Sequence, residues 1–366
     1  METSPQAKEY HRIKNRLLIV NLLFSFTILS IIVTSGFALW LKSFLSNFCA
    51  NTFLVNGFYM AVLGIIFYVL GFPLEFYEEF ILEHRFNLSN QNLAGYLKDN
   101  IKKSLISLVI SLIAIEFLYL FLEKFSNIWW ILAALGWFVL TVLLAKITPA
   151  VLIPLFYKYV KLEDVELKNK IIGLFSRTGT KLKDVYMIDF SAKTKKANAA
   201  VAGFGKSRRV ILTDNLLKDF SHEEILSVVA HELGHYKNKD TMKIVSFGFL
   251  ISMVLFFLCD IVLKKIFPFF GYASLADIAG LPLFCLIMLF FGLLALPLQN
   301  GFIRYLETKA DVYSLITTKT PEAFIAMMEK LARINLAELE PSKFMEIMFY
   351  DHPPIVKRIQ LAKKYK

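Results

Sequence analysis

"VVAHELGHYKNKD", residues 228–240, decides how this chain is read. It sets His231, Glu232 and His235 in an H-E-x-x-H frame between long, nearly uncharged apolar segments. Just upstream, Ser221 is followed three residues on by Glu224, which is the pattern of a helix-capping box. A helix that starts there carries the motif within it. Residues four apart share one helical face, so His231 and His235 point the same way. Two imidazoles on one face suit a zinc ion, and the glutamate between them could take a proton from an attacking water. Gly234 sits mid-helix, where glycine costs about 1 kcal/mol against alanine. The expected reason is close approach of another backbone, such as a substrate strand.

The surroundings of this helix are those of a membrane protein. The chain has 366 residues, 56% hydrophobic and only 19% charged, with 35 phenylalanines. Its mean hydropathy is +0.55. Soluble domains are about half apolar and about a quarter charged, so a polytopic membrane protein is the better reading. Six segments, at about 16–41, 52–76, 104–122, 128–150, 244–263 and 280–299, approach or exceed the ~20 residues that a spanning helix needs. The first is too long for a signal-peptide core and has no small-residue cleavage site after it, so it is expected to be retained.

The net charge of +11 follows the same topology. Residues 1–16 hold four Lys or Arg, residues 77–103 hold four, residues 156–243 hold seventeen, and the tail after Gln299 holds eleven. The alternate loops hold only Lys42, Lys124, Lys264 and Lys265, and Lys146 lies near a segment end. That is the positive-inside pattern. It predicts that both termini and the long central insert are cytoplasmic, with a basic surface facing anionic lipid. No basic run is interleaved with exposed aromatics, so nucleic acid is excluded as a partner. Cys49, Cys259 and Cys285 are odd in number and lie in or beside apolar segments, so they imply neither disulfides nor a thiolate metal site.

The expected organisation is a four-span region over residues 1–155 with a cytoplasmic loop at 77–103. A catalytic insert follows over 156–243, then two spans over 244–299, then a polar tail over 300–366. The fold class is therefore a mainly α-helical polytopic membrane protein with a small α+β insert. "EDVELKNKIIGLFSRTG" has helical periodicity ending at glycine. "DVYMIDF" and "RRVILTD" read as short strands. Charges inside the apolar segments are expensive and usually face a cavity. Lys146 and Asp260 sit where they could reach the interface from a span end, and Glu116 does not.

Zinc catalysis needs a third protein ligand, which could be His, Asp or Glu. "NGFIRYLETKADVYSL" offers Glu307 and Asp311, four residues apart on a probable helix. One carboxylate could bind the metal, and the other could accept the free ring N–H of a ligand histidine. The bland reading is a surface acidic pair served by Arg304 and Lys309.

At this point the chain resembles the integral-membrane zinc metalloproteases of the CAAX prenyl protease 1 family. The resemblance runs in order through "PLEFYEEFILEHRFNLSNQNLAGYLKDNIKK", "ITPAVLIPLFYKYVKLEDVELKNKI", "ANAAVAGFGKSRRVILTDNLL", "VVAHELGHYKNKD", "RYLETKAD" and "YDHPPIVKRIQLAKK". It implies one zinc per chain on His231, His235 and Glu307, with Glu232 as catalytic base. It places Asp311 behind the ligands and His352 as donor to the substrate carbonyl or the oxyanion. Arg358 is implied to tie the tail to the catalytic core. Asn198 and Ala199, with Gly203 beyond them, are implied to line a strand edge that pairs with an extended substrate. The spans are implied to enclose a water-filled chamber.

The chain also departs from the family pattern. Ala200 and Val201 stand where aromatics are common, Ile303 stands where a small polar residue is common, and an N-terminal span of eukaryotic members is missing, so six spans are expected. The substrate implied is a prenylated C-terminal CAAX peptide, acted on by a monomer in the bilayer. Membrane-protein quality control is the alternative. A transporter or channel is a remoter one, which leaves the metal motif unexplained and lacks an inverted repeat.

Overall fold

The computed structural model describes residues 3–203 and 208–366. Residues 204–207, part of the asparagine-alanine stretch, lie outside that description. Among the described residues, six helices are long and apolar enough to cross a bilayer: Pro5–Thr34, Thr52–Arg85, Leu93–Lys124, Trp129–Phe156, Asp240–Phe270 and Ile278–Thr318. In the most apolar stretch of each, no more than 22% of residues are buried. Apolar surface of that extent needs lipid as its solvent.

The membrane part begins with α1 (Pro5–Thr34) and α2 (Phe37–Phe48). The expected first span at 16–41 is therefore displaced and divided. Gly36 turns the chain at φ 77°, a left-handed conformation that glycine adopts without steric cost. The helix that carries the span starts at Pro5 and ends at Thr34, and α2 is a separate short helix. Next come α3 (Thr52–Phe76) and α4 (Glu83–Arg85), joined by a π-helical turn at Tyr77–Leu82. Helix α5 (Leu93–Lys124) follows, so the loop expected at 77–103 is mostly helix. Helix α6 (Trp129–Ile147) runs through a second π-turn into α7 (Ile153–Phe156).

Two intramembrane charges differ in their surroundings. Asp260 is buried rather than reaching for the interface. Trp129 Nε1 donates to it at 2.6 Å, and Lys264 pairs with it at 2.7 Å. Glu116 lines a groove of about 560 Å³ between α3 and α5, and its Oε1 has no hydrogen-bond partner among the described residues. Lys146 is exposed in the last turn of α6, as a residue reaching for the interface would be.

The insert is α+β. It runs β1 (Tyr159–Lys161), α8 (Val165–Arg177), β2 (Asp184–Ile188), β3 (Ala199–Ala202), β4 (Arg209–Thr213), α9 (Asp214–Asp219) and α10 (His222–Lys237). The sheet order is β1-β2-β4-β3, with β2 and β4 parallel and the outer pairs antiparallel. Strand β3 is therefore an edge. Val185, Val210 and Leu212 from the sheet join Ile171, Val229 and Phe324 in one hydrophobic core.

The capping box holds. Ser221 accepts from the Glu224 N–H, and the Glu224 carboxylate accepts from the Ser221 N–H. After α10 the chain turns at Lys239 (φ 55°) straight into α11 (Asp240–Ile266). Helix α12 (Leu281–Thr318) runs unbroken from the last span into the tail, so the boundary expected at 299/300 falls inside one helix. Helices α13 (Pro321–Ile334), α14 (Lys343–Phe349) and α15 (Ile355–Lys363) complete the chain.

Candidate metal centre

Helices α10 and α12 cross where the motif sits. Gly234 explains how close they come. A Cβ there would lie 3.1 Å from Ala310 Cα and 3.1 Å from Tyr313 Cβ. The approaching backbone is thus helix α12, not a substrate strand. Alanine at 234 would gain the helix preference of about 1 kcal/mol but overpack a backbone contact, which typically costs about 1–3 kcal/mol. Thermal unfolding in detergent should show Gly234→Ala to be no more stable than wild type, and metal titration should show weaker binding.

This crossing brings three ligand-type side chains together. His231 Nε2 and His235 Nε2 are 3.1 Å apart. Glu307 Oε1 is 3.1 Å from His235 Nε2, and Oε2 is 3.3 Å from His231 Nε2. Tetrahedral zinc with bonds of about 2.0–2.1 Å sets its ligand atoms roughly 3.3 Å apart. The spacing therefore fits a single ion. The donor chemistry fits as well. Glu307 Oε2 is buried without a hydrogen-bond partner among the described residues. His231 Nδ1 lies 2.9 Å from Asp311 Oδ1, and His235 Nδ1 lies 3.1 Å from Asp240 Oδ2. Each ring N–H can donate to its carboxylate, which turns both Nε2 lone pairs toward Glu307. Three electron-pair donors facing one another call for a cation. Burial disfavours an imidazolium at His231, but the Asp311 and Glu307 carboxylates beside it outweigh that and raise it to about 9. The same carboxylates would attract a metal ion.

Asp311 is fully buried. It also accepts from Arg358, Nε at 2.8 Å and Nη2 at 2.6 Å. That forked bond ties α15 to α12 directly behind His231. Glu232 is not in the three-donor cluster. It lines a cavity of about 340 Å³ together with His231, His352, Asn198 and Ala199. Burial pushes its carboxyl upward, while His231 and His235 oppose the shift. His352 stands at the mouth with its side chain 53% exposed, and its Nε2 is 3.4 Å from Glu307 Oε2. Asn198 is exposed just before β3. Its side-chain oxygen accepts from the Ala199 N–H, and its backbone is bonded to Thr213. Gly203 lies one residue past β3 at φ 91°, a turn conformation that favours glycine.

Three residues at the site escaped the sequence reading. Asp240 orients His235, and its spacing five residues past that histidine was visible but carried no known pattern. Asn300 and Arg304 lie on the same face of α12 as Glu307, seven and three residues before it, and Arg304 looked like a surface partner for Glu307. It instead donates to backbone carbonyls of the segment that carries His352.

A helix with paired imidazoles, a carboxylate from the extension of the last spanning helix and a glutamate in the adjoining cavity, in a chain with six helices able to cross a bilayer, define a membrane-embedded metallopeptidase. The chain belongs to peptidase family M48, whose family model matches residues 161–366. Residues 1–158 match the model described as CAAX prenyl protease N-terminal, five membrane helices. Among similar proteins, the uncharacterized metalloprotease YhfN of Bacillus subtilis (strain 168) is 28% identical over 362 residues, 98% of this chain and 85% of that protein. The CAAX prenyl protease 1 homolog of Arabidopsis thaliana is 27% identical over 306 residues, 80% of this chain and 69% of the relative. The crystal structure of S. mikatae Ste24p superposes with a TM-score of 0.88, at 22% identity, over 97% of this chain and 88% of that one. The fold is thus shared with Ste24p. The chain is an integral, multi-pass membrane metallopeptidase acting on peptides with a metal cofactor.

Proposed function

We propose that the protein is a zinc endopeptidase that cleaves near the C-terminus of prenylated, CAAX-type chains. The observation that carries the reading is the convergence of His231, His235 and Glu307 donor atoms, with Glu232 beside them in the cavity. His231, His235 and Glu307 would hold one zinc per chain. When bound, zinc acidifies water and polarises a carbonyl. Glu232 takes the proton of the attacking water and passes it to the leaving amine. His352 donates to the carbonyl oxygen as negative charge develops there. Asp311 and Asp240 keep the ligand imidazoles in the tautomer that presents Nε2. Edge strand β3, entered through Asn198 and Ala199, offers backbone pairing to an extended substrate.

The prenylated substrate follows from the relatives named CAAX prenyl protease 1 homolog. A second reading, cleavage of unprenylated membrane proteins, is favoured by the small side chains of β3, Ala-Ala-Val-Ala, which impose little selection of their own. Incubating the reconstituted enzyme with one CAAX peptide, farnesylated and not, separates the two. The products should show at least tenfold faster cleavage of the farnesylated form by mass spectrometry. Equal rates would favour the second reading.

The asymmetry of Lys and Arg supports a topology with both termini and the insert in the cytoplasm. A membrane-impermeant thiol reagent should label cysteines substituted at Lys124 and at Lys168 from opposite sides. Labelling of both from one side would break the six-span topology.

A further inference from the structure

Helix α12 presents Asn300, Arg304, Glu307 and Asp311 at spacings of four, three and four, which is one helical face. Glu307 and Asp311 serve the metal cluster. The two residues nearer the membrane serve something else. Asn300 is buried, and its Nδ2 donates to Met348 O at 2.6 Å. Arg304 Nη1 donates to Glu346 O at 2.6 Å and also to Tyr350 O. These carbonyls belong to the last turn of α14 and the residue after it. The last carbonyls of a helix have no partner within it and must be satisfied from elsewhere. Here the partners come from α12.

His352 follows two residues later. Its Nδ1 bonds Asp351 Oδ1 at 2.7 Å, and its Nε2 reaches toward Glu307. Tyr350 is held from its other end, with its hydroxyl donating to Glu338 at 2.8 Å. Downstream, Arg358 locks onto Asp311. The short segment bearing His352 is therefore clamped to α12 on both sides, by Arg304 before it and Arg358 after it. Without Arg304 its upstream end would keep only the Asn300 bond, the Tyr350–Glu338 bond and the Lys357–Glu346 ion pair among the described residues, and the last two do not reach α12. An exposed histidine on such a segment would lose the fixed direction that an oxyanion donor needs.

We infer that Arg304 is the positioning residue for His352, holding the histidine segment to the same helix that supplies the Glu307 carboxylate. This rests on the proposed role of His352. The hydrogen bonds of Arg304 go to backbone carbonyls and not to His231, His235 or Glu307, so it acts through the segment.

The test is a double-mutant cycle on reconstituted enzyme with a quenched-fluorescent CAAX peptide, farnesylated or not according to which the wild type cleaves. Loss of one oxyanion donor costs about 10²–10³ in kcat, and His352→Ala should fall there. Arg304→Met, which keeps the apolar stem but no donor, should lose roughly 10–100-fold in kcat, less than that donor's full worth. KM and zinc content should be unchanged. Arg304→Lys, which keeps a cationic donor on a shorter side chain, should recover part of the rate. The double variant Arg304→Met/His352→Ala should be no slower than His352→Ala alone, because an interaction that works through His352 cannot be lost twice. Wild-type turnover in Arg304→Met, or a double variant slower by the full product of the two factors, would overturn the inference. So would a lysine no better than methionine. Wild-type turnover in His352→Ala would instead remove the reading of His352 itself.

Discussion

Glu232→Gln should lose about 10⁴-fold in peptide hydrolysis while binding zinc as wild type does. The base lies beside the three converging donors rather than among them, so an amide of nearly equal shape leaves the ligand spacing alone. What it removes is the proton acceptor. General-base contributions are typically about 10²–10⁴-fold, and this residue would serve both the attack and the departure of the amine, which sets the expectation at the upper end. Single-turnover assays and metal analysis of the same preparation check it. Turnover near wild type would take Glu232 out of the mechanism. Loss of metal would show that the carboxylate also supports the site.

The helix that carries this glutamate was legible because two local patterns coincide: the Ser221–Glu224 cap fixes where α10 starts, and the four-residue spacing fixes which face His231 and His235 share. The apolar runs and the distribution of Lys and Arg gave the spans by composition alone. What stayed hidden depended on contacts between elements. Gly234 announced a close approach, but only packing identifies the partner as Ala310 and Tyr313 of α12. Asp260 read as a charge near a span end, yet it is the buried acceptor of the Trp129 indole, 131 residues away in sequence. Arg304 had carboxylates at helical spacing, which is a reasonable sign of a surface ion pair. Its hydrogen bonds go to carbonyls more than forty residues on. Side chains that bind backbone leave no complementary residue in the sequence to be recognised. The split of the first span turned on one glycine, Gly36, whose left-handed φ interrupts an apolar run that hydropathy alone joins.

Glu307→Ala should show the opposite signature to Glu232→Gln: both metal and activity are lost. Glu307 is buried, and each of its oxygens faces a different imidazole. Its removal leaves two histidines as the only remaining ligands in the cluster. Changes to residues that merely orient a ligand cost about 10–100-fold in metal affinity, so losing a ligand should exceed that range. The fold should persist, because Leu306, Ala310 and Leu315 still bury the same flank of α12. A ligand that binds only the native state stabilises it by RT ln(1 + [L]/Kd). A chelator should therefore lower the wild-type unfolding temperature and leave that of Glu307→Ala unchanged, at a value near the chelated wild type. Glu307→Asp, with a carboxylate one methylene short of both imidazoles, should fall between them. Full zinc content with normal turnover in Glu307→Ala would exclude Glu307 from the ligand set. A variant that unfolds well below the chelated wild type would mean that the carboxylate holds α10 to α12 even without the ion.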